Sequence, residues 1–293
     1  MGEQRDLISI VIPVYNEEAA IGEDLDTVIE TMEASGRDYE VIVVDDGSTD
    51  RSAEIVRRRP QVRLIQHPHN RGVGAARTTG VRAARGEVIV MTDGDGSYPN
   101  RDIPRLLAHI GPYDMVVGAR KRETGSLKLL RTPLKLFVRL LASYLTETRI
   151  PDLNSGFRAF KKEVAERYLD ILPRGHSWVG TITVAFLSDG YLVKFIPIDY
   201  YKRKGKSSIR PIHDAWNYFL LVVRMAMYFN PLRVLLPISL FLLAVGGVKL
   251  VRDIFVYNFH VPTSTVMIVL TGIQIGALGL LADLIVKRGK HGG

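Results

Sequence analysis

Residues 7–18 read LISIVIPVYNEE, residues 40–50 EVIVVDDGSTD and residues 87–96 EVIVMTDGDG. Each is a short run of Val and Ile that ends in acidic and turn-forming residues. β-Branched residues suit a pleated strand, and a run that is apolar at nearly every position reads as a strand buried on both faces. Two more strand-like runs, 62–66 and 114–119, and helix-like segments at 19–35 and 72–85 lie between and beyond them. This alternation predicts an α/β domain, a mostly parallel sheet with helices on both faces. Ligands of such sheets gather at the C-terminal ends of the strands. Tyr15-Asn16-Glu17, residues 45–50 and Asp93-Gly94-Asp95 all fall there, so three polar clusters are predicted on one sheet edge.

The Asp93-Gly94-Asp95 triplet suits a hard divalent cation, because carboxylate oxygens bind Mg2+ or Mn2+ and Gly94 lets backbone and ligand approach closely. DGDG taken alone also makes an ordinary turn. Three such clusters in order after three strands are a stronger signal than any one. Other nucleotide signatures fail. Gly72-Val73-Gly74-Ala75-Ala76-Arg77 has Arg where a dinucleotide fingerprint needs its third glycine, and it reads as a helix start. Gly205-Lys206-Ser207 lacks the earlier glycine of a phosphate loop, Tyr200 standing in its place. His67 and His69 lack metal-ligand helix spacing and read as plain loop residues.

The 293 residues suffice for about two domains, and 46% hydrophobic with 24% charged residues describe an ordered chain. The absence of cysteine excludes disulfides, Cys-zinc and iron–sulfur sites and thiol catalysis, and permits a cytoplasmic setting. The opening residues carry no apolar leader, so the N-terminus is expected to stay where it is synthesised. Residues 234–248 and 261–282 are uncharged runs, which with their flanks reach the roughly 20 residues needed to span a bilayer as helices. Buried helices of a soluble core are the alternative. A two-helix transmembrane hairpin, with helices at about 232–251 and 261–284, is the reading favoured. Arg224 and Arg233 precede the first run and Lys287, Arg288 and Lys290 follow the second, so both termini and the domain before the hairpin are expected in the cytoplasm; Lys249 and Arg252 vote the other way.

The net charge of +8 calls for an anionic partner. It is local: residues 120–149 hold eight basic against two acidic residues, and residues 202–210 hold five basic and no acidic ones. In the first segment Leu127, Leu130, Leu134, Phe137, Val138 and Leu141 recur at helical spacing among the cations, as in a helix lying in the headgroup layer. An amphipathic helix packed on the sheet fits the same pattern. Trp216, Tyr218, Phe219, Tyr228 and Phe229 resemble an interfacial aromatic belt, and residues 211–230 are expected to form an amphipathic juxtamembrane helix between a domain at 1–210 and a membrane region at 231–293.

The order PVYNEE, VDDGSTD, NRGVGAAR, TDGDGSYP and DLNSGFRAF, spread over residues 7 to about 210, resembles the family 2 glycosyltransferases of GT-A fold. Within them it is similar to the polyprenyl-phosphate glycosyltransferases, which include dolichyl-phosphate mannose synthase. The resemblance implies a GT-A, Rossmann-like domain that moves a sugar from a nucleotide diphosphate to a lipid phosphate, dolichyl or undecaprenyl, on the cytoplasmic leaflet by an inverting displacement. It implies that Pro13, Tyr15, Glu17, Val44 and Asp46 hold base and ribose, and that Asp93 and Asp95, with Gly94 close by, hold Mg2+ or Mn2+ and the donor diphosphate. Asp152 and Ser155 would border the reacting sugar and acceptor, and Arg120 and Arg131 would bind the acceptor phosphate. Two motifs depart from the family: Gly96-Ser97-Tyr98 stands where Leu-Gln-His is common, and Gly205-Lys206-Ser207-Ser208 where GxSK is common. Lys202, Arg203 or Lys206 then supplies the missing lysine's charge. UDP and GDP donors both fit, a homo-oligomer is compatible, and no nucleic-acid partner is expected. A processive polysaccharide synthase is disfavoured because no QxxRW motif is present and two spans are few for a polymer channel. A non-catalytic membrane scaffold that only binds a nucleotide is disfavoured by the intact acidic clusters.

Overall fold

The computed structural model describes residues 7–121, 128–204, 223, 227–228, 230–256 and 261–291. The chain divides into two compact units, Met1–Phe219 and Leu220–Gly293. The first holds a seven-stranded sheet built from β1 (Ile8–Val14), β2 (Tyr39–Asp45), β3 (Val62–Gln66), β4 (Val88–Met91), β5 (Met115–Arg120), β6 (Arg158–Lys161) and β7 (Val193–Ile198). The spatial order is β3-β2-β1-β4-β6-β5-β7, and only β6 runs antiparallel to its neighbours. The strand series ends later than the sequence pattern alone suggests. β6 has four residues, too few to show a period, and the Val193–Ile198 run is interrupted by Lys194 and Pro197.

β1 is buried at every position because both its faces are covered. On one face α1 (Ile21–Ser35) lays down Ile21, Leu25, Val28, Ile29 and Met32, spaced for one side of a helix, and closes at Gly36 with φ 63°. α3 (Val73–Ala83) is made of small residues for a steric reason: a Cβ at Gly80 would lie 2.3 Å from Val11 Cγ1, and one at Gly74 2.2 Å from the Pro173 carbonyl. The Gly-Val-Gly sequence therefore answers to backbone packing. α2 (Ser52–Arg57), α4 (Ile103–Leu107), α6 (Lys162–Glu166) and α7 (Trp178–Ser188) complete the layers, α7 being apolar and buried over nearly its whole length. α5 (Lys128–Thr146) buries Ala142 and Leu145, and leaves Leu136, Phe137, Leu140 and Tyr144 exposed.

β1 lies between β2 and β4, so the strand order reverses beside it, and the crevice at that switch point opens between the ends of β1 and β4. Glu17 and Asp93 follow those two ends directly.

The second unit is an antiparallel pair, α8 (Pro231–Val256) and α9 (Thr263–His291). Over 26 residues, a helix is about 39 Å long, more than a hydrocarbon core of about 30 Å. Among the described residues these are the two helices long and apolar enough to cross a membrane. Their seam uses small residues: Gly246 abuts Val269, Gly272 abuts Leu243, and Ser239 Oγ donates to the Gly272 carbonyl at 2.8 Å. Most of the proposed juxtamembrane helix at 211–230, with Trp216, Tyr218, Phe219 and Phe229, lies outside the described residues.

Candidate active site

The first two polar clusters are tied to each other. Asn16 sits at φ 55°, its N–H donating to Ser48 Oγ at 3.0 Å while its Oδ1 accepts the Thr49 N–H at 2.8 Å. The Glu17 N–H donates to Ser52 Oγ at 2.8 Å. Pro13 and Val44 are register partners at the ends of β1 and β2, both buried, and Tyr15 stands exposed above them. Asp46 is buried and accepts the Arg71 and Gly72 N–H groups at 2.9 and 2.8 Å and a His67 Nδ1 contact at 2.7 Å. It fastens the loop between β3 and α3. His67 Nε2 meets Thr79 Oγ1 at 3.0 Å, so this histidine, which lies in the loop after β3 as expected, is a buried strut there. Its spacing gave no sign, since the contact is made across 21 residues of chain.

Around the third cluster acids and cations interleave. Asp93 Oδ1 accepts from Arg77 Nη2 at 2.8 Å, and Arg77 is buried. Asp95 Oδ1 accepts from the Ser97 N–H at 3.0 Å and from its hydroxyl, which is what Ser97 does at the position where the motif departs. Arg203 pairs with Glu17, and its Nε stands 3.4 Å from Asp95 Oδ2. The segment carrying it is laid along the acidic loop by the Lys204 N–H to Asp95 carbonyl bond, 3.1 Å, and the Tyr201 N–H to Ser97 carbonyl bond, 2.9 Å. Lys204 reaches Glu23, and its neighbour Lys202 is exposed. Burial pushes Glu17 up to about 7, with Asp95 and Asp93 adding to the shift and Arg203 opposing it. Burial and the Asp93 charge likewise raise Asp95, against Ser97 and Arg203.

Across a pair of aromatic rings stands the second group of cations. Arg120, at the end of β5, is gripped by Asp152 through Nε–Oδ2 at 2.7 Å and Nη2–Oδ1 at 2.9 Å, and its guanidinium lies over Tyr200. Tyr200 meets Tyr98 edge to face, and Tyr98 Oη accepts the Gly156 N–H at 2.7 Å. A Cβ on Gly156 would lie 2.8 Å from Asp93 Oδ2, so this loop packs against Asp93, and a side chain here would have to displace its carboxylate. Ser155 is buried beside it. Arg131 is on α5, but its side chain lies outside the described residues, as does Lys206.

Arg77, Tyr98, Asp24 and Arg158 were not singled out from the sequence as site residues. Arg158 is buried and holds the Ser155 carbonyl, the Val179 carbonyl at 2.8 Å and Thr183 Oγ1 at 2.8 Å, anchoring the Asp152–Phe157 turn to α7. A cation opening the otherwise apolar Arg158-Ala159-Phe160 run was the available signal.

Among the described residues no three His, Asp or Glu groups are arranged to hold a metal ion. The chain offers the Asp93 and Asp95 oxygens at the switch point, which fits Mg2+ or Mn2+ shared with a ligand's phosphates better than an all-protein cage. Ser155 Oγ and Arg77 Nε are buried without a hydrogen-bond partner among the described residues, and Arg203 Nε has only its 3.4 Å ion pair with Asp95. Such donors beside an acid pair suit an oxygen-rich ligand.

Residues 9–169 match the family described as Glycosyl transferase family 2, and residues 230–287 match the GtrB C-terminal hairpin. A dolichyl-phosphate beta-glucosyltransferase of Trichomonas vaginalis is 36% identical over 176 residues, 54% of this chain and 52% of that protein. An undecaprenyl-phosphate 4-deoxy-4-formamido-L-arabinose transferase of Shewanella sediminis is 28% identical over 297 residues, 96% of this chain and 87% of that one. The match thus spans about half the length of the first relative and most of the second. Among solved structures, glucosyl-3-phosphoglycerate synthase of Mycobacterium tuberculosis in complex with Mn2+, UDP and phosphoglyceric acid has a TM-score of 0.61 at 19% identity, covering 75% of this chain and 78% of that one. That similarity is one of fold.

Proposed function

Because the chain belongs to glycosyl transferase family 2, we propose that it transfers a sugar from a nucleoside diphosphate sugar, UDP- or GDP-linked, to a polyprenyl phosphate at the cytoplasmic face of a membrane, with inversion. The observation that carries this reading is the pairing of two sites on one sheet edge. Asp93 and Asp95 stand at the switch point, and Arg120 stands across the Tyr98–Tyr200 rings from them. The polyprenyl acceptor is supported by the two relatives' names and by the hairpin.

Pro13, Tyr15, Glu17 and Val44 line the base and ribose side, with Asp46 acting through the loop it holds. Arg77 fixes one oxygen of Asp93, and Ser97 fixes one of Asp95, so the pair is oriented before a donor arrives. Mg2+ or Mn2+ on these two carboxylates would offset the charge of the departing diphosphate. Arg203, drawn off Glu17 and Asp95, would turn to phosphate, and Arg120, Arg131, Ser155, Lys202 and Lys206 serve the acceptor side. A lipid phosphate with a second pKa of about 6 is largely dianionic at neutral pH. Its oxygen bonds to the anomeric carbon as that carbon's bond to the β-phosphate oxygen breaks, and the electron pair leaves with the nucleoside diphosphate. No proton has to be removed. The task is to hold two anions in line, and the exposed apolar side of α5 suits the lipid surface from which the acceptor comes.

The test incubates the full chain in vesicles containing polyprenyl phosphate with a panel of nucleotide sugars, with and without Mg2+ or Mn2+, and analyses extracted lipid by mass spectrometry. One sugar on the lipid phosphate is the expected product. Asp95→Asn is expected to lose most turnover while the chain stays folded. Polymer, or nucleotide binding with no donor consumed, would reject this reading, and full activity in excess chelator would remove the metal from it.

A further inference from the structure

Asp152 opens the turn that leads into β6, and two of the four atoms it meets belong to one side chain. Its Oδ2 accepts from Arg120 Nε at 2.7 Å and its Oδ1 from Arg120 Nη2 at 2.9 Å. The Arg120 backbone N–H adds 3.2 Å to Oδ2, and the Asn154 N–H adds 3.0 Å to Oδ1. The two side chains are 12% and 9% exposed. One face of the guanidinium is covered by Tyr200, whose centroid is 5.1 Å away. A planar fork held along one edge and stacked on one face has its plane and direction set.

We propose that Asp152 is a positioning residue that sets the guanidinium of Arg120 for the acceptor phosphate, and that it takes no proton during transfer. The proposal rests on the function proposed above. Three features support it. Both carboxylate oxygens lie along the Arg120 edge, so protonating either would break a bidentate charged pair. The phosphate nucleophile is largely ionised at neutral pH and has little need of a base. Arg120 connects to the donor side through Tyr200, Tyr98 and Gly156 to Asp93, so a rotation of its side chain would move phosphate relative to the anomeric carbon. Arg158 supports the same turn from behind by holding the Ser155 carbonyl.

The experiment compares the full chain with Asp152→Asn, Arg120→Lys and the double variant, using the donor identified in the panel and polyprenyl phosphate in vesicles. Asp152→Asn is expected to raise KM for the lipid roughly tenfold to a hundredfold, the scale of one charged hydrogen bond, with donor KM within about twofold. Arg120→Lys keeps the charge without the fork and should show the same split. In its background Asp152→Asn should add little, because the two act as a unit. The pH profiles of kcat for parent and Asp152→Asn should superimpose after scaling. A fall in kcat with lipid KM unchanged and an altered pH profile would assign Asp152 as a base and overturn the proposal, as would additive losses in the double variant. Should Asp152→Asn fail to bind a fluorescent nucleotide, the proposal stands or falls on Arg120→Lys: unchanged lipid KM there overturns it. A parent that transfers no sugar to lipid contradicts the function proposed above, whereas a parent that transfers sugar without these couplings contradicts this inference alone.

Discussion

Asp24 shows how the α1 helix governs the acidic loop. It is buried, its Oδ2 accepts the Gly96 N–H at 2.7 Å, and its Oδ1 accepts from Asn100 Nδ2 at 3.2 Å. Burial, opposed by the Gly96 N–H and Lys204 and joined by the Asp95 and Glu23 charges, pushes it up to about 6. Between roughly pH 4 and 6 the folded chain therefore keeps a proton that the unfolded chain has lost, so this group's stabilising effect is complete below pH 4 and fades as pH rises through 6. Asp24→Asn, of nearly the same shape, removes that dependence. The stability of the variant relative to the parent should climb with pH across this window, by up to about 1.4 kcal/mol per pH unit, and level off above it. Denaturant unfolding of the metal-free, donor-free chain at several pH values measures this; parallel curves would show that Asp24 is not raised. At this scale the sequence displayed the acids but not their partners. Asp93 and Asp95 were legible because they close an apolar run. Arg77, Asp24 and His67 were not, because each reaches its partners across 12 to 76 residues of chain, and such contacts leave no local period. Asp152 and Arg120 are both legible as site residues, but their pairing is not, because the bond between them spans 32 residues of chain.

Among the elements, β1 to β5 and α1 were legible in the sequence, since a buried parallel strand is an unbroken apolar run and a half-buried helix has a period of 3.6. β6 and β7 were not. α5 was legible as an amphipathic helix, but the pattern offered both a lipid-facing and a sheet-facing reading. The structure uses part of each, burying Ala142 and Leu145 while exposing Leu136, Phe137, Leu140 and Tyr144. In the hairpin an unforeseen polar clasp joins α8 to α9. Lys249 Nζ lies 2.7 Å from both Asp253 Oδ2 and Thr265 Oγ1, and Thr265 Oγ1 also donates to Asp253. Such groups in an apolar hairpin are costly unless mutually satisfied. Asp253→Ala takes away the ammonium's counter-charge and the hydroxyl's acceptor, leaving only the Lys249–Thr265 hydrogen bond, and is expected to lower the Tm of the full chain in detergent. Replacing the pair together, Lys249→Met with Asp253→Leu, should recover part of the loss because no lone charge is left. A double variant no more stable than Asp253→Ala would show that the clasp does not hold the helices together.

For the whole molecule the decisive question is which side of the membrane the sheet faces. A donor made of nucleoside diphosphate sugar is a polar metabolite, and the proposed reaction needs it on the same side as the Asp93–Asp95 crevice. The basic residues before α8 and at the end of α9 favour the cytoplasm for both ends of the hairpin. The sequence also carried a contrary signal, Lys249 and Arg252 near the turn. The structure weakens it, since Lys249 is spent on Asp253 and Thr265 within the hairpin. Because the chain has no cysteine, a single introduced thiol reports its side without background. Val261→Cys lies between α8 and α9, and Arg58→Cys lies at the exposed end of α2. In intact cells a membrane-impermeant maleimide is expected to label Val261→Cys and to leave Arg58→Cys untouched until the membrane is permeabilised. The reverse pattern would put the sheet on the side without nucleotide sugars and reject the cytoplasmic orientation. Labelling of both thiols in intact cells would mean that the two sites share one side, and would reject the hairpin as a membrane-crossing element.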